Sequence, residues 1–330
     1  MPIESEKDAP NEPSVSISGR KEFARQPMSA GRRALQAIGQ PGLDVEEGQA
    51  PLADGTMRYL KTGTGRALIL VHGLLGYSFS WRFTMPALAP YATVYAIDNL
   101  GTGLSSAPDS LDCRMRAAAD RLLQFANALG VGEFDLLGTS HGGAVAMLAA
   151  AIALGRRAPR IGRLVLVAPV NPWSTRGRTL APFLASSFGS ALFRNSVERW
   201  RIFDYIWLKR LFGDPSRIPQ DSLAGYRIPI VQNHGFRYGS CVVKTWLADL
   251  ADLESVLPEI RDYQTLLIWG TKDRAVHFSS AERLRQNFKN AKLVAFDGVG
   301  HLPYEESPEE FNRALIEFLG GQRSEVRGQR

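Results

Sequence analysis

Phe134-Asp135-Leu136-Leu137-Gly138-Thr139-Ser140-His141-Gly142-Gly143 begins as a short apolar run and ends as G-x-S-x-G. The residues that follow, Ala144 to Ala150, are small helix formers. The stretch therefore reads as strand, sharp turn and helix, with Ser140 at the apex. A strand that reverses directly into a helix leaves no space for side chains at positions 138 and 142. It also strains the central residue and pushes its Oγ out of the sheet. A free serine hydroxyl is a poor nucleophile, so it needs a base and an anion-stabilising pocket.

Working outward, Ala67–Val71 and Thr93–Ile97 are continuous apolar runs, as strands buried on both faces of a parallel sheet require. Arg163–Val167, Gln264–Trp269 and Lys292–Phe296 read as further strands, and Thr56–Lys61 as one that follows a hairpin signal at Asp54-Gly55. Met115–Leu129 and Pro308–Leu319 read as helices closed by glycines, and Phe79–Leu88 as an amphipathic stretch. Alternating strands and helices predict an α/β fold: a mostly parallel, eight-stranded sheet with helices on both faces. The rhythm breaks between Pro169 and Gln264, an interval too long for a structureless loop. A largely helical insertion over the carboxyl edge of the sheet is expected there, after strand 6. The domain reading is a polar arm at 1–40 with a short helix at Ser29–Ile38, a core at 41–170 and 256–320, a helical cap at 171–255, and a charged tail at 321–330.

Ligands on open parallel sheets bind beyond the carboxyl ends of the strands, and three strand ends carry chemistry. Ser140 is one. His301 lies on the glycine-rich loop Asp297-Gly298-Val299-Gly300-His301 after the last strand, where an imidazole base is needed. Asp273 lies just past Gln264–Trp269 and can accept the imidazole Nδ1–H, holding its tautomer. The strand end at Ala168-Pro169-Val170-Asn171 offers no carboxylate, and Asp297 is assigned to holding its own loop. The order nucleophile, acid, base is then Ser140, Asp273, His301. The backbone N–H groups of His141 and Leu74 are the expected oxyanion donors. Of the other histidines, His72 is expected in a turn after its strand, and Asp98-Asn99-Leu100-Gly101-Thr102-Gly103 lacks dinucleotide spacing and reads as a turn beside the site.

Together, His72-Gly73, Asp98-x-x-Gly101-x-Gly103-x-Ser105, Gly138-x-Ser140-x-Gly142, Asp273 and Gly300-His301 resemble the α/β-hydrolase superfamily over about Thr56–Leu319. They are most similar to its capped serine esterase, lipase and C–C-bond hydrolase branch. The resemblance implies a helical lid after the sixth strand, a Ser-Asp-His triad, and no metal or organic cofactor. Members that use an aspartate nucleophile are set aside by Ser140. Family members often carry proline a few residues beyond the acid, where this chain has Val276-His277. The shape of the acid loop is therefore open.

The chain has 330 residues and a net charge of +6. Asn171–Leu250 carries 11 Lys/Arg against 5 Asp/Glu, which is the whole surplus, and 13 of the 31 aromatics. An aromatic lid predicts an apolar pocket and a small-molecule substrate, with an ester bearing a hydrophobic acyl or alcohol part expected first. Alternatives of the same chemistry are C–C cleavage of a diketone acid, which the basic lid would suit, and thioester hydrolysis or perhydrolysis. A ligand receptor on a hydrolase fold is the non-enzymatic one. No nucleic-acid motif is present. Arg199–Phe212 tempts a membrane-surface reading, but its charges fall on several faces of a helical wheel, so it reads as lid packing. No membrane-spanning segment is expected, and peripheral contact stays open. With no leader pattern at Met1–Asp8, a cytosolic location is the default. Cys113 and Cys241, without a CxxC, are expected to be small buried thiols. Oligomeric state is not legible.

Overall fold

The computed structural model describes residues 43–192, 201–231 and 233–320; the expected arm, its short helix and the tail lie outside them. Each core strand sends alternate side chains to opposite faces, and two separate cores result. Ile69, Val71, Leu136, Leu164 and Trp269 pack into one. Leu68, Leu70, Leu137, Val165 and Ile268 pack into the other. This two-sided burial is why the runs read as continuously apolar.

The eight strands are β1 (Glu46–Leu52), β2 (Gly55–Thr62), β3 (Ala67–Val71), β4 (Thr93–Ile97), β5 (Glu133–Thr139), β6 (Arg160–Val167), β7 (Gln264–Gly270) and β8 (Asn290–Phe296). They form one sheet in the order β1-β2-β4-β3-β5-β6-β7-β8. β2 runs antiparallel to β1 and β4, and every other pairing is parallel. The sheet is the one expected from the sequence, including the Asp54-Gly55 hairpin. β5 and β3 lie side by side at its centre, so the turn after each opens at the same edge.

The longer helices are α1 (Met115–Ala128), α2 (His141–Leu154), α3 (Thr175–Ala185), α4 (Arg201–Leu211), α5 (Ser222–Val231), α6 (Asn233–Val256) and α7 (Pro308–Phe318). α2 is apolar on all sides and is buried from His141 to Ala151, as a helix between a sheet and a second helical layer must be. α3 to α6 fill the interval between β6 and β7, as the insertion reading requires. α6 also reaches into the first core, where Leu250, Leu253 and Val256 pack with α1 and α2. Asp249 of α6 caps α1 by accepting the Met115 N–H at 3.1 Å.

The Phe79–Leu88 stretch, read as amphipathic, is a 3₁₀ turn at Ser78–Trp81 and a single turn at Met85–Leu88. Phe79, Trp81, Met85 and Leu88 are all buried, so the apolar pattern marks a packed plug. One expectation is corrected, that for Cys113 and Cys241. They form a disulfide with Cα atoms 5.8 Å apart, joining the loop before α1 to α6 across 128 residues. Beside it, Arg237 of α6 pairs with Asp109 and donates to the Ala107 carbonyl. Cys113 is buried and Cys241 half-buried, and neither is the free thiol expected: tertiary packing pairs them, and no sequence spacing could have signalled it.

Candidate active site

Ser140 stands at the tip of β5 with φ 53° and ψ −122°, a left-handed backbone that a non-glycine residue adopts at a cost of about 1–3 kcal/mol. Its geometry is over-determined by neighbours. Its N–H donates to the Val167 carbonyl at 2.9 Å, and its carbonyl accepts the Val170 N–H at 2.9 Å. The glycines on either side are required by space. A Cβ on Gly138 would sit 2.2 Å from the Gly142 carbonyl oxygen, and one on Gly142 would sit 2.3 Å from the His72 carbonyl oxygen.

His301 Nδ1 lies 2.7 Å from Asp273 Oδ2, with both side chains buried. The other Asp273 oxygen, Oδ1, accepts the Ala275 N–H at 2.7 Å and the Val276 N–H at 2.9 Å. That resolves the open question of the acid loop. Val276 supplies an amide proton, and its carbonyl accepts the Trp269 indole N–H at 2.9 Å. His301 itself is anchored by its N–H to the Leu211 carbonyl at 2.6 Å. Asp297, as expected, holds the loop by accepting from Thr271 Oγ1 at 3.0 Å.

Ser140 and His301 line the same cavity, of about 460 Å³, together with Leu74. Its remaining wall is chiefly apolar, including Leu180, Phe183, Trp207, Leu211 and Val243 from the inserted helices. Among the described lining residues no Lys, Arg, Asp or Glu is present. His141 is the first residue of α2, so its N–H has no partner within the helix and lies at the positive end of the helix dipole. Leu74 lies in the turn closed by the Gly76 N–H to the Gly73 carbonyl at 3.0 Å, followed by Leu75 at φ 61°.

The turn after β3 is held by His72. Its Nε2 accepts the Asn99 N–H at 3.0 Å, so Nδ1 carries the proton and donates to the Gly73 carbonyl at 2.8 Å. Burial pushes its pKa below the ordinary histidine value. The His141 ring is buried against Trp246, with centroids 6.3 Å apart, and burial, with the nearby His72, pushes its pKa down to about 3. Both imidazoles are therefore neutral, structural groups. Asp98 is a buried staple rather than a phosphate site. It accepts the Ser78 N–H at 2.7 Å and the Leu104 N–H at 3.0 Å, and pairs with Arg58 at 3.2 Å.

Five polar side chains near the cavity carried no sequence signal. Arg82 is wholly buried and pairs with Glu305, donating from Nη2 at 2.7 Å and also from Nη1. From the inserted α5, Ser222 and Tyr226 donate to the same carboxylate at 2.9 and 2.6 Å. Glu306 accepts the N–H groups of Gly213 and Gly300, each at 2.8 Å, which ties the end of α4 to the His301 loop. Among the described residues no group of three or more His, Cys, Asp or Glu side chains gathers as a metal would need. Nor does any described helix have the length and apolarity to cross a membrane.

Comparison with known proteins gives the same outline. Residues 68–314 match the sequence model of the alpha/beta hydrolase family. An N-formylmaleamate deformylase from Pseudomonas putida is 38% identical over 263 residues, which cover 78% of this chain and 90% of the relative. A 2-hydroxy-6-oxo-2,4-heptadienoate hydrolase, also from Pseudomonas putida, is 28% identical over 292 residues, covering 85% and 99%. Among solved structures, the 2-hydroxy-6-oxo-6-phenylhexa-2,4-dienoate hydrolase of Rhodococcus sp. strain RHA1 superposes with a TM-score of 0.71. It covers 84% of this chain and 99% of its own at 22% identity, and speaks to fold alone.

Proposed function

The chain belongs to the alpha/beta hydrolase family, and within it we propose a serine hydrolase that cleaves carboxylic esters with a hydrophobic acyl or alcohol part through an acyl-enzyme. Ser140 Oγ attacks the ester carbonyl while His301 Nε2 takes its proton. Asp273 holds the Nδ1–H and stabilises the imidazolium that forms. The Leu74 and His141 amides receive the oxyanion. The imidazolium then protonates the departing alcohol, and water, deprotonated by His301, releases the acid and restores Ser140. In this reading residues 41–170 and 256–320 are the catalytic core and 171–255 a cap over it, flanked by an arm at 1–40 and a tail at 321–330.

One observation carries the proposal. A serine held in a strained elbow shares a cavity wall with a histidine whose far nitrogen is 2.7 Å from a buried carboxylate. The choice of ester rests on the rest of that wall, which is apolar and uncharged among the described residues. The second reading, C–C cleavage of a diketone acid, is favoured by the relative named 2-hydroxy-6-oxo-2,4-heptadienoate hydrolase, whose name denotes a carboxylate substrate. It needs a cation for that carboxylate, and none lines the described wall. The test is labelling by a fluorophosphonate probe beside a Ser140→Ala variant, then turnover of p-nitrophenyl esters of rising chain length against a ring-cleavage diketone acid. Labelling of the wild type alone and a preference for medium or long acyl chains are expected. Equal labelling of the variant overturns the nucleophile. Faster turnover of the diketone acid overturns the ester.

A further inference from the structure

The described residues include nine large hydrophobic side chains that stand open to solvent, and six of them fall between residues 180 and 223. They are not scattered through that interval. Leu180 and Phe183 are one turn apart on α3, and both also line the catalytic cavity. Phe188 and Leu192 are one turn apart on the short helical segment at 187–192, whose Ser190 lines the same cavity. Ile206 projects outward from α4 beside Trp207, Leu208 and Leu211, which face inward. Three helical pieces thus border the cavity: α3 and α4 turn apolar side chains both into it and out to solvent, and the 187–192 segment turns Ser190 into it and Phe188 and Leu192 out to solvent. Phe188 is 73% exposed and the other four are close to half exposed. The sequence reading of α4 as lid packing accounts for its inward side chains and leaves Ile206 unexplained.

Isolated exposed leucines need no explanation, but an apolar rim around a ligand cavity does. Charge narrows what covers it. The interval 171–250 holds the chain's entire surplus of +6. Of its cations, Arg178 on α3 and Arg210 on α4 are exposed on the rim helices themselves. Apolar side chains that enter a lipid–water interface, with arginines beside them at head-group level, are the chemistry of a peripheral anchor on an anionic lipid surface.

We propose that the outward rim of α3, the 187–192 segment and α4 docks on an anionic lipid surface, so that an apolar ester passes from the lipid into the cavity. The substrate half of this rests on the ester reading above; the docking half does not, and it is measured without turnover. The experiment uses full-length Ser140→Ala protein, sedimented with vesicles of phosphatidylcholine alone or of phosphatidylcholine with phosphatidylglycerol. A second protein adds Phe188→Ser, Leu192→Ser and Ile206→Ser, which do not line the described cavity wall. A third carries the three rim changes with Ser140 intact.

Co-sedimentation with the anionic vesicles is expected, falling at least about tenfold on neutral vesicles and at least about tenfold in the rim variant. The rim variant with Ser140 should keep its melting temperature and its rate on a short, water-soluble ester. No sedimentation with either vesicle overturns the proposal, as does binding that the rim changes leave intact. Equal binding to both vesicles overturns the anionic part. A dimer without vesicle binding, dispersed by the rim changes, assigns the face to a second copy and overturns it too. Failure of fluorophosphonate labelling, with vesicle binding intact, would instead remove the ester reading and leave the docking face standing.

Discussion

Replacing Arg82 by Met tests how the inserted helices are seated on the core. The Arg82 and Glu305 side chains are both fully excluded from solvent. Arg82 also donates to Asp221 at 3.0 Å and to Ser222 Oγ at 2.7 Å, so one guanidinium joins the plug after β3, the helical turn Pro303–Glu306 and the start of α5. Methionine fills much of the same volume, which keeps the cavity term small. What remains is a buried Glu305 carboxylate with only the Ser222 and Tyr226 hydroxyls as donors. Leaving one charge of a buried pair uncompensated costs about 3–5 kcal/mol. For a chain of this size each kcal/mol lowers the melting temperature by about 2–4 °C. Arg82→Met should therefore melt about 10 °C below the wild type in differential scanning calorimetry. The double variant Arg82→Met/Glu305→Leu removes both charges and should recover at least about 2 kcal/mol of that loss, a coupling that a volume effect would not produce. If the single and double variants melt together, or if Arg82→Met melts within about 2 °C of the wild type, the buried pair is not what seats the inserted helices on the sheet.

Other expectations are more direct. Asp273→Asn should keep fluorophosphonate labelling detectable but lower kcat about 10⁴-fold, because an amide can hold the wrong imidazole tautomer; a loss below tenfold would detach Asp273 from the base. His141 is neutral in the native state with its pKa pushed down to about 3 by burial. The unfolded chain therefore takes up a proton that the native state refuses, and stability falls as pH drops from about 6.5 toward 3. Urea melts at pH 7 and 4.5 should differ by about 2–3 kcal/mol more in the wild type than in His141→Gln, with no such contribution above pH 7. Cys113→Ser should destabilise by up to about 5 kcal/mol, from the chain entropy of a loop of 128 residues. Thiol titration of denatured wild type should give no free thiol before reduction and two after. Disulfides persist in oxidising compartments, so that titration on protein taken from its native host also tests the cytosolic default. Gly142→Ala should yield no soluble folded protein, since its Cβ would strike the His72 carbonyl.

The strand runs, the hairpin and the elbow were legible because each is a local pattern with one physical cause. Runs such as Ala67–Val71 are apolar at every position because both faces of the sheet are covered. Gly138 and Gly142 are glycines because backbone passes 2.2–2.3 Å from where a Cβ would lie. The candidate triad was legible because chemistry on such a sheet gathers at strand ends, whose positions follow from the runs. The division of Phe79–Leu88 into two short turns was not legible, because periodicity reports burial, and a packed plug buries its side chains as thoroughly as a helix buries one face.

Sequence alone thus determined the sheet, the elbow and the residues worth pairing, because those follow from interactions among near neighbours and from the repeat of the backbone. Only the tertiary structure decided the rest. Arg82 meets Glu305 across 223 residues, Asp249 caps α1 across 134, and Cys113 finds Cys241 across 128. No local pattern marks an arginine, an aspartate or a cysteine for a partner that far along the chain. Such pairs form where folding brings two surfaces together out of water. There a lone charge or polar group would be costly, so the partner is selected by position in space.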